Sequence, residues 1–389
     1  MTDGLIVGWA HTPFGRLDHL GIEELLAAVV GDAIDHAGIP ASSIDGIFAG
    51  VFNAGFARQG FEAALAALSV EELAHVPAVR VENACATGSA AIHAALDFIA
   101  SGRGRIALVV GAEKMTAVPT AEAGTILLSA CYQPEESAVE GGFAGLFAQI
   151  AAGYFAQHGD RSEELAMIAA KNHANGVANP YAQIRKDLGF AFCNTVSERN
   201  PYVAPPLRRT DCSLISDGAA ALVIAAPDVA AGLERGVAFR ARAQVNDHFP
   251  LSRRIPHEFE GARRAWAAAL SGAALGIQDL DLVETHDCFT VAEMIQYEAM
   301  GLARAGHGFR VVRDGLTAKT GTLPVNPSGG LKAKGHPIGA TGVSQHVMAC
   351  QQLVGEAGDM QIPGAALAGV FNMGGAAVAN YVSILERRA

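Results

Sequence analysis

The chain repeats itself, and a duplicated unit limits the architecture before any chemistry is considered. DAIDHAGIPASSIDGIFAG (32–50) and AAALSGAALGIQDLDLVETHD (267–287) each place a helix, a Gly-Ile break, an acidic turn and a strand in that order. NACATGSAAIHAALDFIASG (83–102) and PIGATGVSQHVMACQQLVG (337–355) share Ala-Thr-Gly at 86–88 and 340–342, and both read as a turn opening an amphipathic helix. Two strand matches follow: RIALVVGAEK (105–114) with AALAGVFNMGG (365–375), and SDGAAALVIA (216–225) with MGGAAVANYVSI (373–384). The order is kept while the spacing drifts, which is the mark of loop insertions within a duplicated unit.

Strands alternating with helices imply parallel-rich sheets covered on both faces. The chain therefore reads as two homologous α/β halves, 1–230 and 231–389, joined through PDVAAGLERG (227–236). An inserted loop domain, about 115–210, has no counterpart in the second half; its helix-like runs GLFAQIAAGYFAQHG and SEELAMIAAKNHANG and the proline-rich NPYVAPPL suit a segment that shapes a site.

Composition excludes several classes. Of 389 residues 50% are hydrophobic and 17% charged, enough apolar surface for large cores and too little charge for disorder. A net charge of −11 opposes counterion-driven binding to nucleic acid. No apolar run approaches the roughly 18 residues that span a bilayer, so no membrane is expected. With MTDGLIVGWA and Asp3 at the start, secretion is not expected, and the six scattered cysteines suit the reducing cytoplasm. Neither GxxxxGK[ST] nor a strand-linked GxGxxG occurs, which leaves no nucleotide-hydrolysis or nicotinamide site.

Three places carry chemistry. Cys85 sits between the strand-like AVRVEN and a helix, where helix amides are expected to lower a thiol pKa. His336, in NPSGGLKAKGHPIGATG, is held by a glycine-rich loop just ahead of the second repeat helix. The repeat superposes Gly339 on Cys85, so His336 should face Cys85 across the pseudo-two-fold, and a cysteine within reach of a histidine is an activated nucleophile. His286, Asp287 and Cys288 follow the strand DLVET, at the end where open α/β sheets build their sites. Plainer readings stand beside these: a buried cysteine as a small hydrophobe, a histidine satisfied by backbone, an ordinary loop, or zinc at His286 and Cys288, which lack a second ligand pair at metal spacing. Cys131, Cys193, Cys212 and Cys350 read as packing residues. Arg208, Arg209, Lys332 and Lys334 are candidate phosphate partners but read first as solvated surface charge, so they stay outside the site and the coenzyme A contacts stay unassigned.

ENACATGSAA around Cys85, HDCF at 286–289 and GGLKAKGHPIGATG around His336 resemble the thiolase superfamily, and the likeness runs on through KNHANGVANPYAQ (171–183) to the C-terminus. His-Asp-Cys-Phe in place of Asn-Glu-Ala-Phe, and Asn372-Met373-Gly374 in place of Cys-x-Gly, resemble the sterol-carrier-protein type. The resemblance implies a layered α/β/α/β/α fold and Claisen chemistry on coenzyme A thioesters, in the thiolysis or condensation direction, within lipid metabolism. It implies a Cys85 acyl-enzyme, with His336 as base and, with a water held by His286, as enolate stabiliser. Cys288 would be the second thiol, and the backbone N–H groups of Cys85 and Gly374 the oxyanion donors. Coenzyme A enters as a substrate; no tightly bound cofactor and no metal are expected. A homodimer or homotetramer, with room for an accessory subunit, is the expected assembly. A related acyltransferase, a retro-aldolase and a non-catalytic acyl-CoA-binding scaffold remain open on the same residues.

Overall fold

The computed structural model describes residues 4–388; Met1, Thr2, Asp3 and Ala389 lie outside them, and with them the acidic start read above. The strands β1 (Leu5–His11), β2 (Gly46–Gly50), β3 (Ala78–Val81), β4 (Ile106–Lys114) and β5 (Asp217–Ala225) belong to the first half. The strands β6 (Val237–Asn246), β7 (Leu282–Glu284), β8 (Leu367–Gly374) and β9 (Ala379–Arg387) belong to the second. They lie in the spatial order β3-β2-β4-β5-β1-β6-β9-β8-β7. Within the first half β1 to β4 run in one sense and β5 opposes them; in the second, β6 to β8 share a sense and β9 opposes them. The halves meet where β1 pairs antiparallel with β6 at Leu5 and Ile6.

Helices build the other layers: α1 (Ile22–Ala37), α2 (Thr87–Ala100), α3 (Gly142–His158), α4 (Ser162–Gly176), α5 (Glu260–Ala273), α6 (Thr290–Ala299) and α7 (Ile338–Val354). In α1, Leu25, Leu26, Val29, Val30, Ala33 and Ile34 recur at helical spacing and are buried on β1, β4 and β5, while Gly38 ends the helix in the left-handed conformation. The helix α5 covers β6 and β9 from the other outer side. The helices α2 and α7 pack against each other between the two half-sheets, which completes an α/β/α/β/α stack. All but one of the residues of α7 are buried, as a helix in a middle layer requires. Ile92, Leu96, Val343, Val347, Val370 and Leu385 fill that layer.

The duplication extends to side chains that clamp the backbone. Asp45, just before β2, accepts the amides of Arg105 and Ile106, at 2.7 and 3.0 Å. Asp281, just before β7, accepts those of Ala366 and Leu367, at 2.7 and 2.9 Å. The same carboxylate thus starts the same strand pair in both halves. Between β4 and β5 the inserted segment supplies α3 and α4, which pack against α6 of the second half.

The two middle helices cross through the glycines of the repeated Ala-Thr-Gly. A Cβ on Gly88 would lie 2.7 Å from the amide nitrogen of Val343 and 2.9 Å from that of Gly342; one on Gly342 would lie 2.4 Å from the amide nitrogen of Ser89. Backbone therefore meets backbone where any side chain would hold the helices apart. Gly88→Ala is expected to destabilise the protein by roughly 1–3 kcal/mol through overpacking. Gly31→Ala, in the middle of α1 with only Val70 at 3.9 Å, should be neutral or stabilise by up to about 1 kcal/mol. Denaturant unfolding of both variants checks the contrast.

Candidate active site

Each middle helix begins beside a chemical group. Before α2 the chain passes through Ala84, a non-glycine residue at φ 48°, and Asn83, whose amide donates to Thr87 Oγ1 at 2.8 Å, so Cys85 stands on a tight turn. Before α7 the loop passes through Gly335, at φ 113°, and the His336 amide donates to Ser216 Oγ at 3.1 Å. Glu113, at the end of β4, accepts the amides of Phe52, Asn53 and Gly339 at 2.9–3.0 Å and so ties this loop to the end of β2.

The third group, on the loop after β7, is pinned residue by residue. The carbonyl of His286 accepts from Gln296 Nε2 at 2.8 Å. Asp287 accepts the amides of Leu331 and Lys332, at 2.6 and 3.1 Å, and Asn172 Nδ2 from the inserted segment, at 2.8 Å. The carbonyl of Cys288 accepts the Ser213 amide at 2.8 Å.

These turns converge. Cys85 Sγ and one ring nitrogen of each of His286 and His336 lie within 4.8 Å of one another, and the two imidazoles meet edge to face at 4.9 Å between centroids. Cys85, Cys288 and His336 line one cavity of about 70 Å³, walled mainly by Phe52, Leu127, Phe143, Phe289 and Ile338. A divalent cation could bridge the sulfur and two nitrogens, but Asn372 Nδ2 donates to His286 Nδ1 at 2.9 Å. That leaves the ring's proton on Nε2, so in this tautomer neither nitrogen has a free lone pair for a metal.

The resting site is neutral. Burial pushes the Cys85 thiol up to about 12; the Gly375 N–H eases this and the charge of Glu113 adds to it. The sequence-based expectation of a lowered thiol is therefore corrected: desolvation outweighs the amides at the helix start. Burial, then the charge of Lys334, brings His336 down to about 3. His286 is held well below the usual histidine range by burial and by His336. Cys288 is pushed well above the thiol range by burial and then by Cys85. Gly375 lines the Cys85 cavity, while Gly374, the expected oxyanion donor, ends β8 next to it.

Three of the four basic residues read as surface charge are interior. Arg208 pairs with Asp211 at 2.8 Å, Lys332 Nζ donates to the Cys212 carbonyl, and Lys334 is buried near Glu284. Arg209 is exposed. Lys332 and Lys334 lie on the segment that leads into His336, and neither the burial of the three side chains nor the groups around them could be read from their neighbours in sequence. Sequence reasoning also passed over Asn172, Glu113, Thr341 and Gln296. Asn172 lies within the KNHANG run, Thr341 within the repeated Ala-Thr-Gly and Glu113 within RIALVVGAEK, so those three left a signal and Gln296 did not.

Residues 5–228 match the family model "Thiolase, N-terminal domain", and residues 243–387 match "Thiolase C-terminal domain-like". An acetyl-CoA acetyltransferase of Methanothermobacter thermautotrophicus is 36% identical over 394 residues, covering 100% of both chains. Sterol carrier protein 2 of Bos taurus is 32% identical over 78% of this chain and 58% of that protein. A solved structure described as "Ltp2-ChsH2(DUF35) aldolase" superposes over 99% of this chain and 97% of that one with a TM-score of 0.83, at 19% identity, which speaks for the fold alone. The chain belongs to the thiolase family, and its catalytic class is that of the acyltransferases.

A thiol held protonated by burial has a measurable signature. Alkylation of Cys85 by iodoacetamide, followed by peptide mass mapping, should climb about tenfold per pH unit from about pH 7 to about pH 10 without levelling off. A plateau below about pH 9 would contradict it.

Proposed function

We propose that this protein is a thiolase acting on coenzyme A thioesters through a Cys85 acyl-enzyme, and that the convergence of Cys85, His286 and His336 beside Cys288 carries the reading. Burial raises the Cys85 thiol and lowers the His336 imidazole, so the pair rests uncharged. Proton transfer from Cys85 to His336 is therefore concerted with attack of the sulfur on the substrate ketone. The tetrahedral oxyanion faces the amides of Cys85 and Gly374, with the Gly375 amide alongside.

The carbon–carbon bond then breaks, and its electron pair passes onto the thioester oxygen of the departing acetyl-CoA enolate. His336, now carrying the Cys85 proton, and His286 through Nε2–H are its donors. Cys288 gives its proton to the enolate carbon and is left as a thiolate, which takes the proton of incoming coenzyme A. The coenzyme A thiolate attacks acyl-Cys85, the released Cys85 sulfur recovers its proton from His336, and the cycle closes. Condensation is the same sequence reversed.

The small cavity with aromatic and aliphatic walls suits a short apolar acyl group on Cys85. The halves divide near residue 230, and the inserted segment from about 115 to 210 belongs to the first. A second copy is the favoured partner: β3 is an edge strand whose residues are exposed or half-buried, with Val79 47% accessible, and such an edge is covered in most soluble proteins. Among the described residues no helix is long and apolar enough to cross a membrane, and their six cysteines are free, in keeping with a cytoplasmic enzyme of lipid metabolism. The accessory-subunit assembly named for the structural relative is a second partnership to test.

Cys85→Ala should abolish thiolysis and condensation, and His336→Ala should slow acylation of Cys85 at least about 100-fold. Cys288→Ala should still accept an acetyl group on Cys85 from an activated ester, read by acid-quenched mass spectrometry, yet fail to exchange deuterium into acetyl-CoA. Exchange at the parent rate in Cys288→Ala would favour a plain acyltransferase or a retro-aldolase instead. Light scattering at micromolar concentration should give at least twice 40.2 kDa, and a clean 40.2 kDa monomer would overturn the second-copy reading.

A further inference from the structure

We infer that Asn372 is the positioning residue that fixes His286 as its Nε2–H tautomer, so that the site holds one imidazole with a proton to offer and one with a lone pair. The geometry rests on two hydrogen bonds. Asn372 Nδ2 donates one hydrogen to the Cys85 carbonyl, at 3.0 Å, and the other to His286 Nδ1, at 2.9 Å. An amide nitrogen cannot accept, so Nδ1 must be the acceptor and the ring proton sits on Nε2. Reversing the amide would set Oδ1 against the Cys85 carbonyl oxygen. The carbonyl therefore keys the amide, and the amide keys the ring.

His286 Nε2 is buried and has no protein partner among the described residues, as a donor reserved for a substrate oxygen would be. His336 is set the other way. The Thr341 hydroxyl donates its one hydrogen to the Pro337 carbonyl at 2.9 Å, so its oxygen accepts from His336 Nδ1 at 2.7 Å and leaves His336 Nε2 bare. Base and donor are thus assigned by two side chains that touch no substrate.

The duplication adds an independent argument. Five residues beyond the clamped Ile106 and Leu367 stand Gly111 and Asn372. In the first half the carbonyl equivalent to that of Cys85 is that of Gly339, and it would lie only 2.4 Å from a Cβ on Gly111. Packing at this point of the fold is satisfied with no side chain at all. The amide of Asn372 is accordingly there for what it hydrogen-bonds.

The chemical consequence rests on the thiolase reading; the tautomer does not, and the tests separate them. In the full-length protein labelled with 15N-histidine, the His286 signals, identified by their loss in His286→Gln, should show a protonated Nε2 and a bare Nδ1. The opposite assignment overturns the inference. Asn372→Asp should turn the ring over, because a carboxylate accepts from Nδ1 and leaves Nε2 bare until His286 takes a second proton. The other titratable groups near that ring are His336, Cys85 and its loop neighbours Asp287 and Cys288, and Asp287 is turned away onto Leu331, Lys332 and Asn172.

In Asn372→Asp a carboxylate oxygen also replaces the donor to the Cys85 carbonyl, so acetylation of Cys85 by an activated ester should fall too, but by clearly less than exchange. Deuterium exchange into acetyl-CoA should fall about 100-fold near pH 8, as for a lost oxyanion donor. It should partly recover as the pH is lowered, since protonation restores Nε2–H. Exchange at the parent rate, or an equal loss of acetylation and exchange with no such recovery, would overturn the assignment. A parent enzyme that neither acetylates nor exchanges would sink the thiolase reading, while the 15N measurement would still decide the tautomer.

Discussion

Backbone contact between α2 and α7 is the constraint on which the rest of the molecule depends. Two homologous helices can share one middle layer only if they cross closely enough for both half-sheets to reach them, and Gly88 and Gly342 make that crossing. Because the helices are related by the duplication, the same crossing sets their N-terminal turns side by side. Cys85 and His336 meet because the two helices do. Gly342 has a second effect: a Cβ there would strike Asn372 Oδ1 at 2.4 Å, so the packing glycine also makes room for the amide that holds His286.

That meeting point lies deep between layers, and burial governs its electrostatics. Thiols there are pushed up and imidazoles down, which keeps four titratable side chains uncharged at neutral pH. An uncharged site cannot rely on standing ion pairs. It relies on which atom carries each proton, and therefore on neighbours that take a lone pair or supply one: Thr341 for His336 and Asn372 for His286. The carboxyl groups and the lysine sit one layer out. Asp287 and Glu113 spend their oxygens on loop amides, and Lys332 on a loop carbonyl, so they set the loops' shape.

This division explains what could be read in the sequence. The repeated sequence of helices and strands and the turns bearing Cys85, His336 and His286 were legible, because helix and strand periodicity and glycine-rich turns are local signals. The direction of the Cys85 shift was not, because a helix start is visible in sequence and the depth of its burial is not. Nor were the partners of Arg208 and Lys332 or the burial of Lys334, whose runs look like solvated surface. Glu113 meets Gly339 across 226 residues, and Asn372 meets Cys85 across 287; nothing in either neighbourhood announces the other.

The duplication also shows how a symmetric fold comes to hold an asymmetric site. Five residues past Asp45 and Asp281 stand Gly50 and His286; past Ile106 and Leu367 stand Gly111 and Asn372; and the aligned Ala-Thr-Gly sets Gly339 against Cys85. At all three positions one member of the pair is glycine and the other carries a functional group. The glycine set packs against itself: a Cβ on Gly111 would meet the carbonyl of Gly339, and one on Gly339 that of Gly50, each at 2.4 Å. The polar set is bonded to itself instead, through Asn372 to both Cys85 and His286. Either solution closes the gap between a helix N-terminus and two strand ends, one by close backbone packing and the other by hydrogen bonds. The glycine set brings only backbone to the gap, whereas the polar set brings hydrogen-bonding groups beside the cavity that reaches the sulfur. One copy of the duplicated unit can therefore serve as structure while the other serves as chemistry, with no change in fold.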